Sequence, residues 1–323
     1  MVMPTTYSFT RYLAAKKRVD DRALNQHVWR RLTRALPQGT PMAPVRVLEI
    51  GAGIGTMVER LVEWGMLQQA TYTAIDADPE ATLESRRRLP EWMIRRGFRL
   101  LQETPTRQLF WRPAHQIVVE AETIDLQRFV SRTQGQRAWD LLIAHAVLDL
   151  LDLPTTVPRL LPLLRPGGLC YFTMAFDGAT ILQPEIDPTF DTQVETLYHQ
   201  TMDQRRIDGQ PAGDSRSGRH LFGYLRALGV ELLDAGSSDW VIFAGPDGYS
   251  GDEAYFLHFI VHTMGMALRG HPQLDSERFA RWIAERHVQV EQRTMVYIAH
   301  QLDFLGRVTV PATPLFLAGR GQG

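Results

Sequence analysis

The sequence predicts an α/β fold in which a mostly parallel sheet of seven strands is flanked by helices. From residue 45 onward, short apolar runs alternate with amphipathic helical stretches, which is typical of parallel strands joined by crossover helices. A glycine-rich turn directly follows the first apolar run, and a tight turn containing Pro166 and Gly167 precedes the fifth. The predicted strands are residues 45–50, 71–76, 116–120, 140–144, 168–175, 240–244 and 295–304.

The chain divides into three predicted regions around this sheet. They are an N-terminal helical cap of residues 1–40, a ligand-binding core of residues 41–176 and a C-terminal region of residues 177–323. One helix is predicted over 8–36, because no Pro or Gly interrupts the pattern before Pro37. The C-terminal region is expected to begin with exposed loops over 177–218 and to carry a helical insertion over 246–295, before the last strand.

Composition limits the partners and the location of the protein. The 323-residue chain has a net charge of −1, so no general attraction to nucleic acid or to an anionic membrane is expected. Its single cysteine, Cys170, excludes an intramolecular disulfide and a cysteine-based zinc site. The longest apolar stretch, residues 254–268, is too short to span a bilayer. We therefore expect a cytoplasmic protein that binds neither nucleic acid nor membrane.

Two histidines, His258 and His262, lie one helical turn apart in that apolar stretch. Histidines at this spacing can share a metal ion, but the intervening glutamate of the His-Glu-x-x-His zinc motif is missing. Packing inside a helical layer is the simpler interpretation. No metal site is predicted.

The glycine-rich turn is the strongest functional signal. It occupies the segment Val-Leu-Glu-Ile-Gly-Ala-Gly-Ile-Gly that ends at Gly55, and glycines in such a turn allow the backbone to approach a ligand closely. A dinucleotide-binding fingerprint would require glycine at position 56, where the chain has Thr56. An acid two residues before the turn, Glu49, would repel a pyrophosphate. The turn therefore suits a cationic ligand.

This segment resembles the first motif of the class I S-adenosylmethionine-dependent methyltransferases, acid-x-Gly-x-Gly-x-Gly, whose fold is Rossmann-like. The resemblance implies that Glu49 lies near the methionine end of the cofactor and that the turn lies under it. Asp76, about 20 residues after Gly55, resembles the family's acid at the end of the second strand, where a carboxylate accepts the ribose hydroxyls. The following Asp78 is better interpreted as a helix cap.

Two later segments extend the resemblance over residues 45–175. Near the third strand, an acid-alanine pair resembles the one that holds adenine, and either Glu120 or Glu122 fits, depending on whether Ile124 or Leu126 is the apolar anchor. The fourth strand, which ends at Ala144 and is followed by His145, resembles the motif between cofactor and substrate. The implied contacts of S-adenosylmethionine are Glu49, Gly51, Ala52, Gly53, Gly55, Asp76, Ala77, Glu120, Ala121, Glu122, Ala144 and His145.

The family resemblance implies in-line methyl transfer to oxygen or nitrogen of a small molecule. His145 is the candidate catalytic base, since a histidine near neutral pKa can take a proton from an acceptor. The alternative is that its imidazole only lines the pocket. Asp149 could orient His145 or simply cap a helix. The candidate substrate contacts are Tyr7, Tyr12, Arg22 and Asp149, of which Arg22 could instead reach the cofactor carboxylate.

Two other functions stay open at this point. A member of the same fold can bind the cofactor without catalysis and serve as a scaffold. A NAD-dependent oxidoreductase is disfavoured by Thr56 and Glu49. Methylation of a nucleobase is disfavoured too, because Ile-Ala-His-Ala stands where such family members have Asn-Pro-Pro-Tyr. The cap and the C-terminal insertions either roof the active site as a substrate lid or support the core and a homodimer interface.

Overall fold

The computed structural model describes residue 4 and residues 6–309, except residues 137 and 208. The N-terminal cap consists of two helices, α1 (Phe9–Ala23) and α2 (Gln26–Ala35). The prediction of one helix was wrong because Asn25 caps α2, where its side chain accepts hydrogen bonds from the backbone N–H groups of His27 and Val28. An asparagine in this position stabilises a new helix start and so favours a break in the chain.

Within the described residues, the central sheet has ten strands rather than the seven predicted. They are β1 (Val45–Ile50), β2 (Gln69–Asp76), β3 (Arg99–Glu103), β4 (Arg107–Arg112), β5 (His115–Thr123), β6 (Trp139–His145), β7 (Leu164–Gln183), β10 (Val230–Ser237), β11 (Trp240–Ile242) and β12 (Val296–Val308). All seven predicted segments are confirmed as strands. The additional ones are β3, β4 and β10.

The strand order is β10-β12-β7-β6-β1-β2-β5-β4-β3, and β11 pairs with β12. The central strands β5, β2, β1, β6 and β7 are parallel to one another, whereas β12 is antiparallel to β7 and β4 is antiparallel to β5. This confirms the predicted mostly parallel, Rossmann-like sheet. The chain continues to β2 on one side of β1 and to β6 on the other, so a crevice opens at the carboxyl end of β1, which is where such sheets bind ligands.

Helices cover both faces of the sheet. They are α3 (Thr56–Glu63), α4 (Pro79–Ile94), α5 (Leu126–Thr133), α6 (Leu153–Leu160), α7 (Pro188–Asp203), α8 (Ser217–Ala227), α9 (Glu253–Leu268) and α10 (Ser276–Glu291). Alternate residues of β1 divide between two apolar cores, with Val47 packing in one and Leu48 in the other. A third core lies beneath α1, α9 and α10.

The segment 177–218 is mostly regular structure, so the prediction of exposed loops was wrong there. Strand β7 continues to Gln183, α7 follows, and a short hairpin is formed by β8 (Arg206–Ile207) and β9 (Gln210–Pro211). Polar residues in this segment are buried with partners. Asp191, for example, accepts hydrogen bonds from Trp282 and Arg286. Of the predicted C-terminal region, residues 310–323 lie outside the described residues.

The helical insertion before the last strand is confirmed as α9 and α10. Helix α9 contains the longest apolar stretch of the sequence. No helix among the described residues has the length and apolar character needed to cross a bilayer.

Candidate functional site

A cavity of about 570 Å³ lies at the carboxyl ends of the parallel strands. One side of it is formed by the glycine-rich turn after β1 and by the ends of β2 and β6. The other side is formed by β7, β12, α7 and α9, and α1 of the N-terminal cap lies across it with Phe9, Tyr12 and Leu13. The cavity therefore joins the predicted ligand-binding core to the additions on both sides of it.

Three glycines of the turn have left-handed backbone conformations, with φ of +63° at Gly51, +53° at Gly53 and +79° at Gly55. A side chain would be strained at each of them. A Cβ atom on Gly51 would lie 2.7 Å from a methyl group of Val147, and one on Gly55 would lie 2.6 Å from Ser85 Oγ in α4. The start of α3 at Gly55 therefore packs tightly against α4. Gly51, Gly53 and the intervening Ala52 line the cavity.

Asp76 holds the turn in place. Its Oδ2 accepts a hydrogen bond of 2.7 Å from the Gly53 N–H, and its Oδ1 accepts one of 2.8 Å from the Asp78 N–H. Burial raises the pKa of Asp76. Asp76 and Ala77 both line the cavity, and each carboxylate oxygen keeps a second lone pair for a donor there. Asp78 caps α4 as predicted, since it accepts from the Glu80 and Ala81 N–H groups.

Glu49 is buried beside the turn, with a 2% exposed side chain, and it lines the cavity. Its Oε2 accepts a 2.8 Å hydrogen bond from the Tyr72 hydroxyl. Burial raises the pKa of Glu49 to about 8, an effect that the hydrogen bond from Tyr72 and the charge of Arg60 only partly oppose. Without a ligand, the group is therefore mostly uncharged at neutral pH, and a cation brought next to it would favour ionisation.

The predicted adenine contacts at residues 120–122 do not line the cavity. Glu120 lies 3.5 Å from Arg107, and Glu122 forms two hydrogen bonds of 2.6 Å with Arg132. Ala121 is buried, and its carbonyl accepts from Arg86. These residues lie outside the cavity because β5 continues to residue 123, three residues beyond the predicted end of the strand. The cavity is lined instead by Ile124, Asp125 and Leu126.

His145 ends β6 and lines the cavity together with Ala146. Both of its ring nitrogens contact other groups of the protein. Nδ1 lies 2.7 Å from Thr173 Oγ1 and Nε2 lies 2.9 Å from Asp20 Oδ2. Burial, aided by the charge of Lys16, lowers the pKa of His145 to about 4. The ring is neutral, and the tautomer that satisfies both contacts donates from Nε2 to Asp20 and accepts at Nδ1 from the threonine. This arrangement favours a lining role over that of a base.

Asp20 of α1 is the centre of this buried network. Its carboxylate accepts hydrogen bonds from Lys16 Nζ at 2.6 Å, Trp240 Nε1 at 3.0 Å and Arg60 Nη2 at 3.3 Å. Although burial acts to raise it, the charge of Lys16 and the contact with His145 hold the pKa of Asp20 well below its usual range. Arg60, itself fully buried, also contacts Asp21 and the Lys17 carbonyl. These contacts help to hold α1 in place across the cavity.

Of the four predicted substrate contacts, the structure brings two into the cavity. Tyr12 and Asp149 line it, whereas Tyr7 and Arg22 do not. Tyr7 stacks on His262, with ring centroids 4.0 Å apart, and Arg22 is half exposed and pairs with Glu253. Asp149 lies within a short 3-10 turn of residues 148–150 and caps no helix, so the capping interpretation was wrong.

Several lining residues escaped the sequence analysis. They are Lys16, Tyr198, Arg205, Tyr297 and Gln301. None belongs to a motif, and they come from α1, from the region around α7 and from β12, which meet only in the folded chain. A weak signal was available for Tyr297 and Gln301, because period-2 alternation in the last strand places them on one face.

Two lining residues have strained backbones. Ala146 and Met174 are non-glycine residues with φ of +51° and +56°. Such conformations cost about 1–3 kcal/mol each and persist only where the surroundings hold them. Here the Ala146 N–H donates to the Thr173 carbonyl at 2.9 Å, and the Met174 N–H donates to Asp303 at 2.9 Å. The strain is concentrated at the carboxyl end of β6 and beside it in β7, on the cavity wall.

The histidines of α9 take part in packing. His258 Nδ1 lies 2.9 Å from Nδ1 of His287 in α10, and His262 stacks on Tyr7. Across the part of the chain that the structure describes, no three His, Cys, Asp or Glu side chains are grouped so as to hold a metal ion.

No protein-family model and no curated protein sequence matches the chain. Solved structures similar to it include geranyl diphosphate methyltransferase in complex with S-adenosylmethionine, at 10% identity over 94% of this chain and 92% of that chain, with a TM-score of 0.44. Phosphoethanolamine N-methyltransferase 2 from Haemonchus contortus is similar at 12% identity over 94% and 60%, with a TM-score of 0.41. The [4+2]-cyclase SpnF is similar at 18% identity over 91% and 81%, with a TM-score of 0.40. These likenesses decide nothing about the chemistry of this chain.

Proposed function

We propose that this protein is an S-adenosylmethionine-dependent methyltransferase that acts on a small-molecule acceptor. The observation that carries the proposal is the cavity that brings Glu49, the glycine turn and Asp76 together at the carboxyl ends of β1 and β2. A ligand with a cationic end and a ribose fits such a set of groups.

The charges of the cavity favour a cationic ligand over a phosphorylated one. Among the described lining residues, five carry carboxyl groups and two carry cationic side chains. The carboxyl groups belong to Asp20, Glu49, Asp76, Asp125 and Asp149, and the cations to Lys16 and Arg205. S-adenosylmethionine has a sulfonium and an ammonium group and no phosphate, whereas the pyrophosphate of NAD would meet repulsion here. The cavity therefore also disfavours an oxidoreductase.

Each part of S-adenosylmethionine is expected to contact a different group of residues. Asp76 would accept the ribose hydroxyls, as charge-assisted hydrogen bonds, with the lone pairs that its backbone donors leave free. Glu49 would lie at the methionine end, and the backbone of the turn would approach the ligand. Ile124 and Leu126 supply apolar contacts of the kind that a purine ring needs.

When bound, S-adenosylmethionine supplies a methyl carbon whose bond to sulfur breaks, with its electron pair, as the acceptor's lone pair forms the new bond. The protein's contribution is then to align the acceptor and to exclude water. Helix α1 serves the second task, because Phe9, Tyr12 and Leu13 lie against the cavity and the Asp20 network holds the helix there.

Calorimetric titration with S-adenosylmethionine and S-adenosylhomocysteine tests the proposal. We expect both to bind, and we expect Asp76→Asn to weaken binding by about 1–3 kcal/mol, the scale of a charge-assisted hydrogen bond. The matched control is Glu122→Gln, since that carboxylate is engaged by Arg132 outside the cavity. Equal affinity of wild type and Asp76→Asn would overturn the ribose contact, and tighter binding of NADH than of either ligand would overturn the function.

Catalysis needs a separate measurement. Incubation of the protein with methyl-labelled S-adenosylmethionine and a metabolite extract should yield acceptors that are heavier by one methyl group. Binding without any labelled product would instead identify a non-catalytic scaffold.

A further inference from the structure

The cavity has a second set of polar groups, away from the glycine turn. We name it the acceptor wall, which consists of Tyr12, Asp149, Tyr198, Tyr297 and Gln301. Strand β12, which carries the last two, lies three strands from β1 in the sheet, or roughly 14 Å at the usual spacing of neighbouring strands. The groups proposed for the cofactor lie on the opposite side of the cavity, at β1 and β2.

The three tyrosines of the wall form an aromatic surface whose hydroxyls are not used by the protein. None of the three hydroxyls has a hydrogen-bond partner among the described residues. Burial raises the pKa of all three tyrosines, to about 12 for Tyr198, and the neighbouring Tyr297 and Tyr198 raise that of Tyr12 further, so the hydroxyls stay protonated. Behind Tyr12, the ring of Phe259 is stacked at a centroid distance of 4.2 Å.

The remaining two groups of the wall are hydrogen-bond acceptors without partners. Gln301 is 3% exposed, and its Oε1 has no hydrogen bond among the described residues. The Asp149 carboxylate forms no ion pair among them and contacts only its own backbone N–H. Burial raises the pKa of Asp149, and the charges of two nearby cations partly oppose this: Arg205, and Lys16, which is paired with Asp20 at 2.6 Å. An unpartnered buried acceptor is costly, so a ligand that brings N–H donors to Asp149 would be favoured.

We propose that the acceptor wall binds a small amine with an apolar body, whose N–H groups contact Asp149 while the tyrosine rings surround the nitrogen. This inference rests on the proposed function and names its substrate class. An amine carries two or three N–H donors, whereas a hydroxyl offers one, and aromatic faces attract a cationic nitrogen. A carboxylate or phosphate on the ligand would be repelled by Asp149.

The wall also contains a group that can take up the proton that such an acceptor must lose. A protonated amine has no lone pair for a methyl group. When an N–H bond breaks, its electron pair stays on nitrogen and the proton forms an O–H bond with the Asp149 carboxylate. Burial raises the pKa of Asp149, which makes this carboxylate a better proton acceptor than an exposed one.

Matched ligand pairs that differ only in the head group test this inference. The probes are phenethylamine and 2-phenylethanol, tryptamine and tryptophol, and hexylamine and hexanol, with 3-phenylpropionate as the anion. Binding is measured by calorimetry, with and without S-adenosylhomocysteine. In at least one pair we expect the amine to bind about tenfold more tightly than the alcohol, with the anion weakest. Asp149→Asn should abolish this preference, while Asp152→Asn, an acid outside the cavity, should leave it unchanged.

The outcomes separate this inference from the proposed function. If S-adenosylhomocysteine binds but no pair favours the amine, or Asp149→Asn keeps the preference, the amine assignment is overturned and the methyltransferase proposal stands. If amines are preferred but neither S-adenosylmethionine nor S-adenosylhomocysteine binds, only the proposed function fails. If Asp149→Asn does not fold, the wild type decides, because its amine preference should fall as acid protonates Asp149, and a preference that grows in acid counts against the inference.

Discussion

Glu49 and His145 end neighbouring strands, and burial keeps both without charge near neutral pH, in opposite ways. The pKa of Glu49 is raised to about 8, whereas that of His145 is lowered to about 4. Both ring nitrogens of His145 contact protein groups. One carboxyl oxygen of Glu49 accepts a hydrogen bond from Tyr72, and this carboxyl group still lines the cavity. Glu49 is therefore the residue whose ionisation a ligand can control.

Binding of S-adenosylmethionine should release a proton from Glu49. The sulfonium and ammonium charges favour the carboxylate, so the pKa of Glu49 should fall on binding, and affinity should rise with pH up to about pH 8 and then level off. Calorimetry in buffers of different ionisation enthalpy counts the protons released. Glu49→Gln provides the control that should show neither the release nor the pH dependence. Wild-type binding at pH 6.5 without any proton release would contradict this prediction.

At the scale of elements, a buried network of charges helps to hold α1 over the cavity, together with the apolar packing of this helix against α9. Arg60 of α3 joins Asp20 and Asp21 of that helix, and all the contacts among Arg60, Asp20 and His145 are removed from water. When one partner of a buried ion pair is lost, the other is left charged without compensation. The loss of one charge of the network should therefore weaken the attachment of α1 first.

Arg60→Met should lower the free energy of unfolding by about 3 kcal/mol, because it removes a fully buried cation and leaves Asp20 with Lys16 alone and Asp21 with Lys17 alone. Urea denaturation measures the loss, and hydrogen exchange should show faster exchange in α1 than in the sheet. The matched control is Arg87→Met, whose exposed pair with Glu84 is screened by water and should contribute little to stability. Equal effects of the two substitutions would show that the network does not hold the helix.

At the scale of elements, the sequence could predict only those parts of the site that have local signals. The turn after β1 was predictable because its glycines, the acid before it and Asp76 are local signals. Residues 120–122, expected near the cofactor, lie outside the cavity because β5 pairs with β2 up to Asp76 opposite Thr123, and pairing with another strand decides where a strand ends. Tyr198 gave no signal and Tyr297 only the weak one of strand alternation, since α7 and β12 are brought to the cavity only by tertiary packing.

For the whole molecule, the site concentrates acid that the composition conceals. The net charge is −1, yet the described lining of the cavity has five carboxyl groups and two cations. When no ligand is bound, burial raises the pKa of Glu49. The free energy of unfolding therefore depends on pH. A ligand that supplies positive charge should relieve this cost, which joins the stability of the fold to its proposed function.

The pH dependence of unfolding should show that link between pH 6.5 and pH 8. The folded pKa of Glu49, about 8, lies above its unfolded value of 4.5, so the stability that the protonated group contributes is present in acid and lost as pH rises toward 8. His145, with a folded pKa of about 4 and an ordinary value of 6.5, changes little over this range. Over this interval, the free energy of unfolding of the wild type, measured by urea denaturation, should fall by on the order of 1 kcal/mol more than that of Glu49→Gln. Saturating S-adenosylmethionine should restore more stability to the wild type at pH 8 than at pH 6.5, and an identical pH response of the two proteins would contradict the burial of an ionisable Glu49.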